Sequence, residues 1–289
     1  METAVSFDSA GLKLVGDLHS PDGLKPGERR PAILVLHGFG TSKDSGTTKG
    51  SAQLFAELGY IALRFDMRGC GGSEGKRGHV LCLDQVEDTK AALTYMANRS
   101  DVDPKRIAVM GHSFGAAVAV YTGGTDPRVA AVISSGGWGN GEVKFRGQHS
   151  SPEAWKRFTD MLAEGKRRNA KGETLMVPRW DIVPIPEHLR ANLPPDSINE
   201  FPSETAQSMF DFRPNDVVGK IAPRPLLLFH SANDSVTPTS QSVKLFELSK
   251  QPTDLMLLAE IDHFPFSDKN PRARQVLTGW LGRFFPVKM

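Results

Sequence analysis

Short apolar runs alternate along the chain with stretches whose apolar residues recur at helical spacing. The opening "VSFDSAGLKLVGDLHSP" alternates apolar and polar residues on either side of "SAG", which predicts an antiparallel hairpin. "PAILVLHG" (31–38) is an unbroken apolar run ending at glycine, the pattern of a strand buried on both faces. A helix near 48–58 leads to a second such run, "YIALRFD" (60–66). Residues 83–99 place Leu83, Val86, Leu93 and Met96 at helical spacing, and "DPKRIAVMG" (103–111) reads as a turn and a third buried strand. "SFGAAVAVYTGG" (113–124) is an alanine-rich helix ending at glycine, and "RVAAVISSGG" (128–137) is a fourth strand. Strands alternating with helices predict an α/β fold with a mostly parallel central sheet and flanking helices.

The alternation stops at Trp138 and resumes after Ile221 with "RPLLLFHSAND" (224–234), a helix at 239–250, "TDLMLLAEIDHF" (253–264) and a last helix near 271–285. The expected organisation is therefore a core of residues 1–137 and 222–289, with residues 138–221 inserted as a cap. Within the cap, "SPEAWKRFTDMLAEGKRRN" (151–169) reads as a helix capped by Ser151. Three of the four tryptophans, Trp138, Trp155 and Trp180, fall in it. They are either an aromatic wall of a substrate pocket or the cap's own small core.

Composition narrows the function classes. With 289 residues, 39% hydrophobic and 24% charged, the chain is an ordinary globular protein able to bury a large core. A net charge of +2 and no basic run longer than "KRR" (166–168) argue against nucleic-acid binding. The two cysteines, Cys70 and Cys82, make neither a disulfide framework nor a metal site and read as free thiols. No H-E-x-x-H, C-x-x-C or P-loop occurs, so no metal and no cofactor is expected. The N-terminus lacks a signal-peptide pattern, and "IAVMGHSFGAAVAVY" is too short to span a bilayer. These features predict a cytoplasmic protein acting on a small molecule. They leave homo-oligomerisation open.

Two segments fit G-x-S-x-G: "GGSEG" (71–75) and "GHSFG" (111–115). With 28 glycines in the chain, one match can arise by chance, so context must decide. Ser73 follows a strand but precedes glycines and charges, and reads as a turn residue. Ser113 stands between a buried strand and a helix. A serine there projects above the carboxyl edge of the sheet, where ligands bind in open α/β folds, beside the N–H groups of a helix start. Ser113 is the candidate nucleophile.

A serine hydroxyl needs a base within hydrogen-bond reach and an acid to hold that base's tautomer. Among eight histidines, His263 in "EIDHFPF" follows the last strand and is the best base candidate. His112 adjoins Ser113 and should point away from it. His230 reads as a packing histidine, and His37 opens "HGFG". Asp234, in "HSANDSVTP" after the strand "PLLLF", is the best acid; Asp262, Asp216 and Asp211 are alternatives. The backbone N–H groups of Phe39 and Phe114 are placed to serve as an oxyanion hole.

The segments "HGFG", "DMRGCGGSEG", "GHSFG", "HSANDSVTP" and "DHF", in this order, make the chain resemble an α/β-hydrolase, most nearly the small bacterial esterases of the cinnamoyl/feruloyl-esterase and monoglyceride-lipase-like kind. The resemblance covers nearly all of the chain outside the cap. It implies the α/β-hydrolase fold with an inserted cap, a Ser113 nucleophile, and a loop beside the site at "DMRGCGGSEG". The implied activity is that of a serine hydrolase cleaving a carboxylic ester. Thioesters, amides and carbon–carbon bonds of β-diketones remain alternatives, because related enzymes cleave them with the same triad. A non-catalytic binding protein on this scaffold is a further alternative.

Overall fold

The computed structural model describes residues 1–266 and 271–288. The strands are β1 (Glu2–Ser9), β2 (Leu12–His19), β3 (Arg30–Leu36), β4 (Ile61–Phe65), β5 (Val102–His112), β6 (Val129–Ser135), β7 (Met176–Pro178), β8 (Glu200–Pro202), β9 (Leu226–Ser231) and β10 (Thr253–Leu258). The helices are α1 (Gly46–Glu57), α2 (Cys82–Ala97), α3 (Phe114–Thr125), α4 (Gly141–Gln148), α5 (Pro152–Asn169), α6 (Arg179–Ile182), α7 (Ser203–Asp211), α8 (Ser240–Leu248) and α9 (Arg272–Phe284). Among the described residues the main sheet has eight strands in the order β1-β2-β4-β3-β5-β6-β9-β10. β1 pairs antiparallel with β2, and β2 antiparallel with β4. The pairings from β4 through β10 are parallel. This is the mostly parallel sheet that the alternation predicts, and the hairpin at its edge is the one predicted around "SAG".

The apolar runs are unbroken because both faces of the sheet are covered. On β3, Ala32, Leu34 and Leu36 join the layer containing Val86 and Leu93 of α2 and Val118 of α3. Ile33 and Val35 point the other way, into the layer with Leu54 and Phe55 of α1 and Leu277 and Trp280 of α9. The two-residue period of a strand splits one run between two cores.

The helical spacing in 83–99 is that of α2: Val86, Leu93 and Met96 lie on its buried face, while Leu83 in its first turn is 56% exposed. One local expectation needs correcting. Helix α3 runs to Thr125 and is followed by extended Asp126, so Gly123 and Gly124 do not end it. They are close-approach positions instead: a Cβ on Gly123 would overlap the Val132 side chain, and one on Gly124 would come within 2.5 Å of the Val217 carbonyl oxygen.

Between β6 and β9 the chain contributes no strand to the main sheet among the described residues. It forms α4 to α7 and the short antiparallel ribbon β7–β8. Ser151 caps α5 by accepting a hydrogen bond from Ala154 N. No helix among the described residues is long and apolar enough to cross a membrane.

Candidate active site

Strand β5 delivers Ser113 to a turn that only two glycines permit. Ser113 has φ 54° and ψ −114°, a sparsely populated conformation for a residue with a Cβ, costing about 1–3 kcal/mol. A Cβ on Gly111 would overlap the Gly115 carbonyl, and one on Gly115 would lie 2.6 Å from the carbonyl oxygens of Leu36 and His37. The Ser113 N–H donates to Ser135 O at 2.8 Å, which fixes the turn against the end of β6.

The geometry brings the three distant candidates together. The Ser113 hydroxyl lies 2.9 Å from His263 Nε2. His263 Nδ1 lies 2.8 Å from Asp234 Oδ2 and 3.1 Å from Oδ1. His263 is buried, and the Asp234 side chain is almost fully so. Asp234 Oδ1 also accepts from the backbone N–H groups of Val236 (2.8 Å) and Thr237 (2.7 Å). Burial pushes the Asp234 carboxyl up, but the His263 and His230 rings beside it outweigh that and hold it well below the usual carboxylate range. An anionic Asp234 fixes the proton of His263 on Nδ1 and leaves Nε2 free to accept the serine proton.

The alternative acids stand elsewhere. Asp262 accepts from Ser235 N (2.9 Å), Ser235 Oγ (2.8 Å) and His263 N (2.7 Å), and so ties the loop of Asp234 to the loop of His263. Asp211 accepts from Gln207 in α7, and Asp216 lies in a short 3-10 turn at 214–216. Ser73 is committed to backbone: its hydroxyl accepts from Val15 N at 2.9 Å and donates to Asp66 O at 2.5 Å.

The "HGFG" loop lies over Ser113; a Cβ built on Gly38 would be 3.9 Å from that of Ser113. His37 Nε2 accepts from Met67 N at 3.1 Å and Nδ1 donates to Gly38 O at 2.9 Å, bracing the loop from below. Neither the Phe39 N–H nor the Phe114 N–H has a protein acceptor among the described residues.

Two residues that sequence reasoning missed complete the surroundings. His230, read as a packing histidine, sits with Nε2 3.1 Å from Asp234 Oδ2 and 3.0 Å from Thr237 O, while Nδ1 faces Ser242 Oγ at 2.7 Å. The available signal was its place four residues before Asp234, at the end of a strand. Arg179 is 1% exposed. It donates to the carbonyls of Phe39 (2.9 Å), Gly40 (2.7 Å) and Ile198 (2.7 Å), and burial pulls its pKa down to about 10. Nothing local in "VPRWD" announces a buried guanidinium 140 residues from its partner loop.

His112 does not point away as expected. It lines the Ser113 cleft together with His263, Phe39 and Arg179, and its ring lies 5.0 Å from that of His263. The ring packs against His263 and Phe264, with Nδ1 3.3 Å from Ser135 Oγ. None of the three tryptophans lines this cleft. Trp138 is 1% exposed and packs on Phe114, and Trp155 stacks with Phe158. Trp180 lines a second cavity with Gln148, His149 and Met161.

Known proteins resemble this chain in sequence and fold. Acyltransferase drtE of Aspergillus calidoustus is 28% identical over 247 residues, covering 79% of this chain and 78% of that protein. The crystal structure of the α/β hydrolase GrgF from Penicillium superposes with a TM-score of 0.80 at 24% identity, over 98% of this chain and 99% of that one. Ferulic-acid-bound Est1E from Butyrivibrio proteoclasticus superposes with a TM-score of 0.71 at 18% identity, over 97% and 98% of the two chains. The family model described as "Serine aminopeptidase, S33" (Hydrolase_4) matches residues 27–183, more than half of the chain. The chain therefore belongs to this family of α/β hydrolases.

Proposed function

We propose that this protein is a serine hydrolase that cleaves a carboxylic ester of a small or medium organic substrate through an acyl-enzyme on Ser113. Residues 138–221 are proposed as its cap. The observation that carries the reading is the unbroken hydrogen-bonded path from Ser113 Oγ through His263 to Asp234, at 2.9 and 2.8 Å. In this mechanism Ser113 attacks the ester carbonyl as its proton passes to His263 Nε2. Asp234 stabilises the imidazolium and keeps its orientation. The developing oxyanion is held by the N–H groups of Phe39 and Phe114, which are free to donate, and Arg179 holds the Phe39–Gly40 turn that presents the first. His263 then protonates the departing alcohol. Water, activated by the same imidazole, releases the acid.

The test is labelling with a fluorophosphonate probe followed by a substrate panel. Ser113 of the folded protein is expected to take the label, and p-nitrophenyl esters to turn over faster than matched thioesters, anilides or β-diketones. A Ser113 that stays unlabelled sinks the reading. A second reading, acyl transfer to an alcohol, is favoured by the name of the relative drtE. It uses the same acyl-enzyme, and added alcohol would then divert the acyl group into a new ester rather than free acid.

His230 supplies a further check. Replacing it by leucine removes one donor from Asp234 Oδ2. A hydrogen bond to a charged group is worth about 1.5–3 kcal/mol, so kcat is expected to fall by about tenfold or more with KM little changed. Steady-state kinetics on p-nitrophenyl butyrate measure this.

A further inference from the structure

Two residues that line the Ser113 cleft each carry a buried polar atom without a partner. Thr47 Oγ1 and His112 Nε2 are buried and make no hydrogen bond among the described residues, and both residues line the cleft. Thr47 is 3% exposed and His112 4%. Other polar side chains along the same wall are occupied: the Thr41 hydroxyl donates to Gly38 O at 3.1 Å, and Ser45 Oγ meets Thr48 Oγ1 at 2.7 Å. Buried polar groups in native proteins are nearly always hydrogen-bonded, and each exception calls for a cause.

The cause is visible in the local structure. A helical serine or threonine commonly returns its hydroxyl to the carbonyl four residues back, as Ser51 does to Thr47 O at 2.7 Å. Thr47 is the second residue of α1, so no helical carbonyl stands behind it. The His112 ring uses Nδ1 toward Ser135 Oγ at 3.3 Å, which leaves Nε2 without a partner among the described residues. Burial first, and then the neighbouring His263 ring, hold His112 well below the usual histidine range, so the ring is neutral. The rest of the lining is Phe39 and apolar Val183, Ile185, Leu193, Val236 and Phe264, together with Arg179 and Asn192, whose donors are committed to the carbonyls of Phe39, Gly40 and Ile198 and of Leu189.

We propose that Thr47 and His112 form a polar subsite for one uncharged oxygen, a hydroxyl or keto group, carried close to the scissile carbonyl on an otherwise apolar substrate. This rests on the serine-hydrolase reading of Ser113. A substrate hydroxyl can accept from Thr47 and donate to His112 Nε2. A keto oxygen can accept from both when His112 carries its proton on Nε2. A carboxylate gains little from one hydroxyl and a neutral ring. A site built to bond a substrate hydroxyl discriminates against the analogue lacking it, because its own groups are then left unpaired.

The experiment compares kcat/KM for p-nitrophenyl esters of butyric, 2-hydroxybutyric, 3-hydroxybutyric, 3-oxobutyric and succinic acids, and for ethyl against 2-hydroxyethyl butyrate, with Ser113 labelling by the fluorophosphonate run in parallel. At least one hydroxyl or keto substrate is expected to exceed its plain counterpart by about tenfold or more. Thr47→Val is expected to bring that ratio to within about twofold of unity, and Thr47→Ser to restore it. Labelled Ser113 with equal rates on plain and oxygenated substrates overturns the subsite and leaves the hydrolase reading standing. A preference for the succinate ester, or a ratio that Thr47→Val leaves intact, also overturns it. No label and no turnover overturns both readings.

Discussion

Ser113→Ala is expected to lower kcat on p-nitrophenyl butyrate by at least about 10⁴-fold. The substitution removes one oxygen, and with it the atom that forms the acyl bond in the proposed mechanism. The fold should not notice. The strained backbone at φ 54° is as costly for alanine as for serine, the Ser113 N–H still donates to Ser135 O, and both flanking glycines are untouched. The thermal midpoint is therefore expected to stay within a few degrees of the parent while activity disappears, which separates loss of chemistry from loss of structure. Asp234→Asn should cost about 10⁴-fold by itself, because an amide facing His263 Nδ1 favours the wrong tautomer. The double variant should be little worse than Ser113→Ala alone, since the three groups act as one unit. Additive losses would show that Asp234 contributes by another route, and substantial turnover by Ser113→Ala would remove the nucleophile from the proposed mechanism.

Sequence alone exposed the groups in this path because each sits where a strand ends. Ser113 follows β5, Asp234 follows β9 and His263 follows β10, and parallel strands carry their ends to one edge of the sheet. Two-sided burial marks such strands in the sequence, so their ends can be found without knowing the packing. Ser73 was separable from Ser113 for the same reason: glycines and charges follow it where a helix follows Ser113. What stayed hidden depends on contacts between segments far apart. Arg179 reaches Phe39 and Gly40 from another part of the chain. His230 looks like any histidine at the end of a buried strand until its distance to Asp234 is known. The direction of His112 is known only from its packing against His263 and Phe264, which no local pattern specifies. Between β6 and β9, α5 has a helical burial pattern in Phe158, Leu162 and Gly165, but Trp138 lies outside any element and Trp180 in the four-residue α6, so no period in the sequence assigns those two to a face.

A second large effect is expected for stability, at a residue outside the proposed chemistry. Lys144, in α4, is 2% exposed, and its Nζ has no hydrogen-bond partner among the described residues. The ammonium position lies 3.8 Å from the ring centroid of Phe145 and 4.7 Å from that of Trp138. Ring faces attract a desolvated cation by about 2 kcal/mol, yet burial dominates and pulls the lysine pKa down to about 7 from 10.5. Below about pH 7 the group is charged in both folded and unfolded chains, and the folded state carries the full cost of the buried charge, on the order of 5 kcal/mol. Between about pH 7 and 10.5 the unfolded chain holds a proton that the folded one lacks, so this group makes stability rise with pH through that window. Lys144→Met keeps the unbranched shape and discards the charge. It is expected to raise the unfolding free energy by about 2–4 kcal/mol at pH 6 and by less at pH 9, measured by urea denaturation at both values. A variant no more stable than the parent at pH 6 would mean that the ammonium is paired or hydrated in the folded protein, and the aromatic contacts would then have to be read as part of a solvated site rather than as the wall of a dry core.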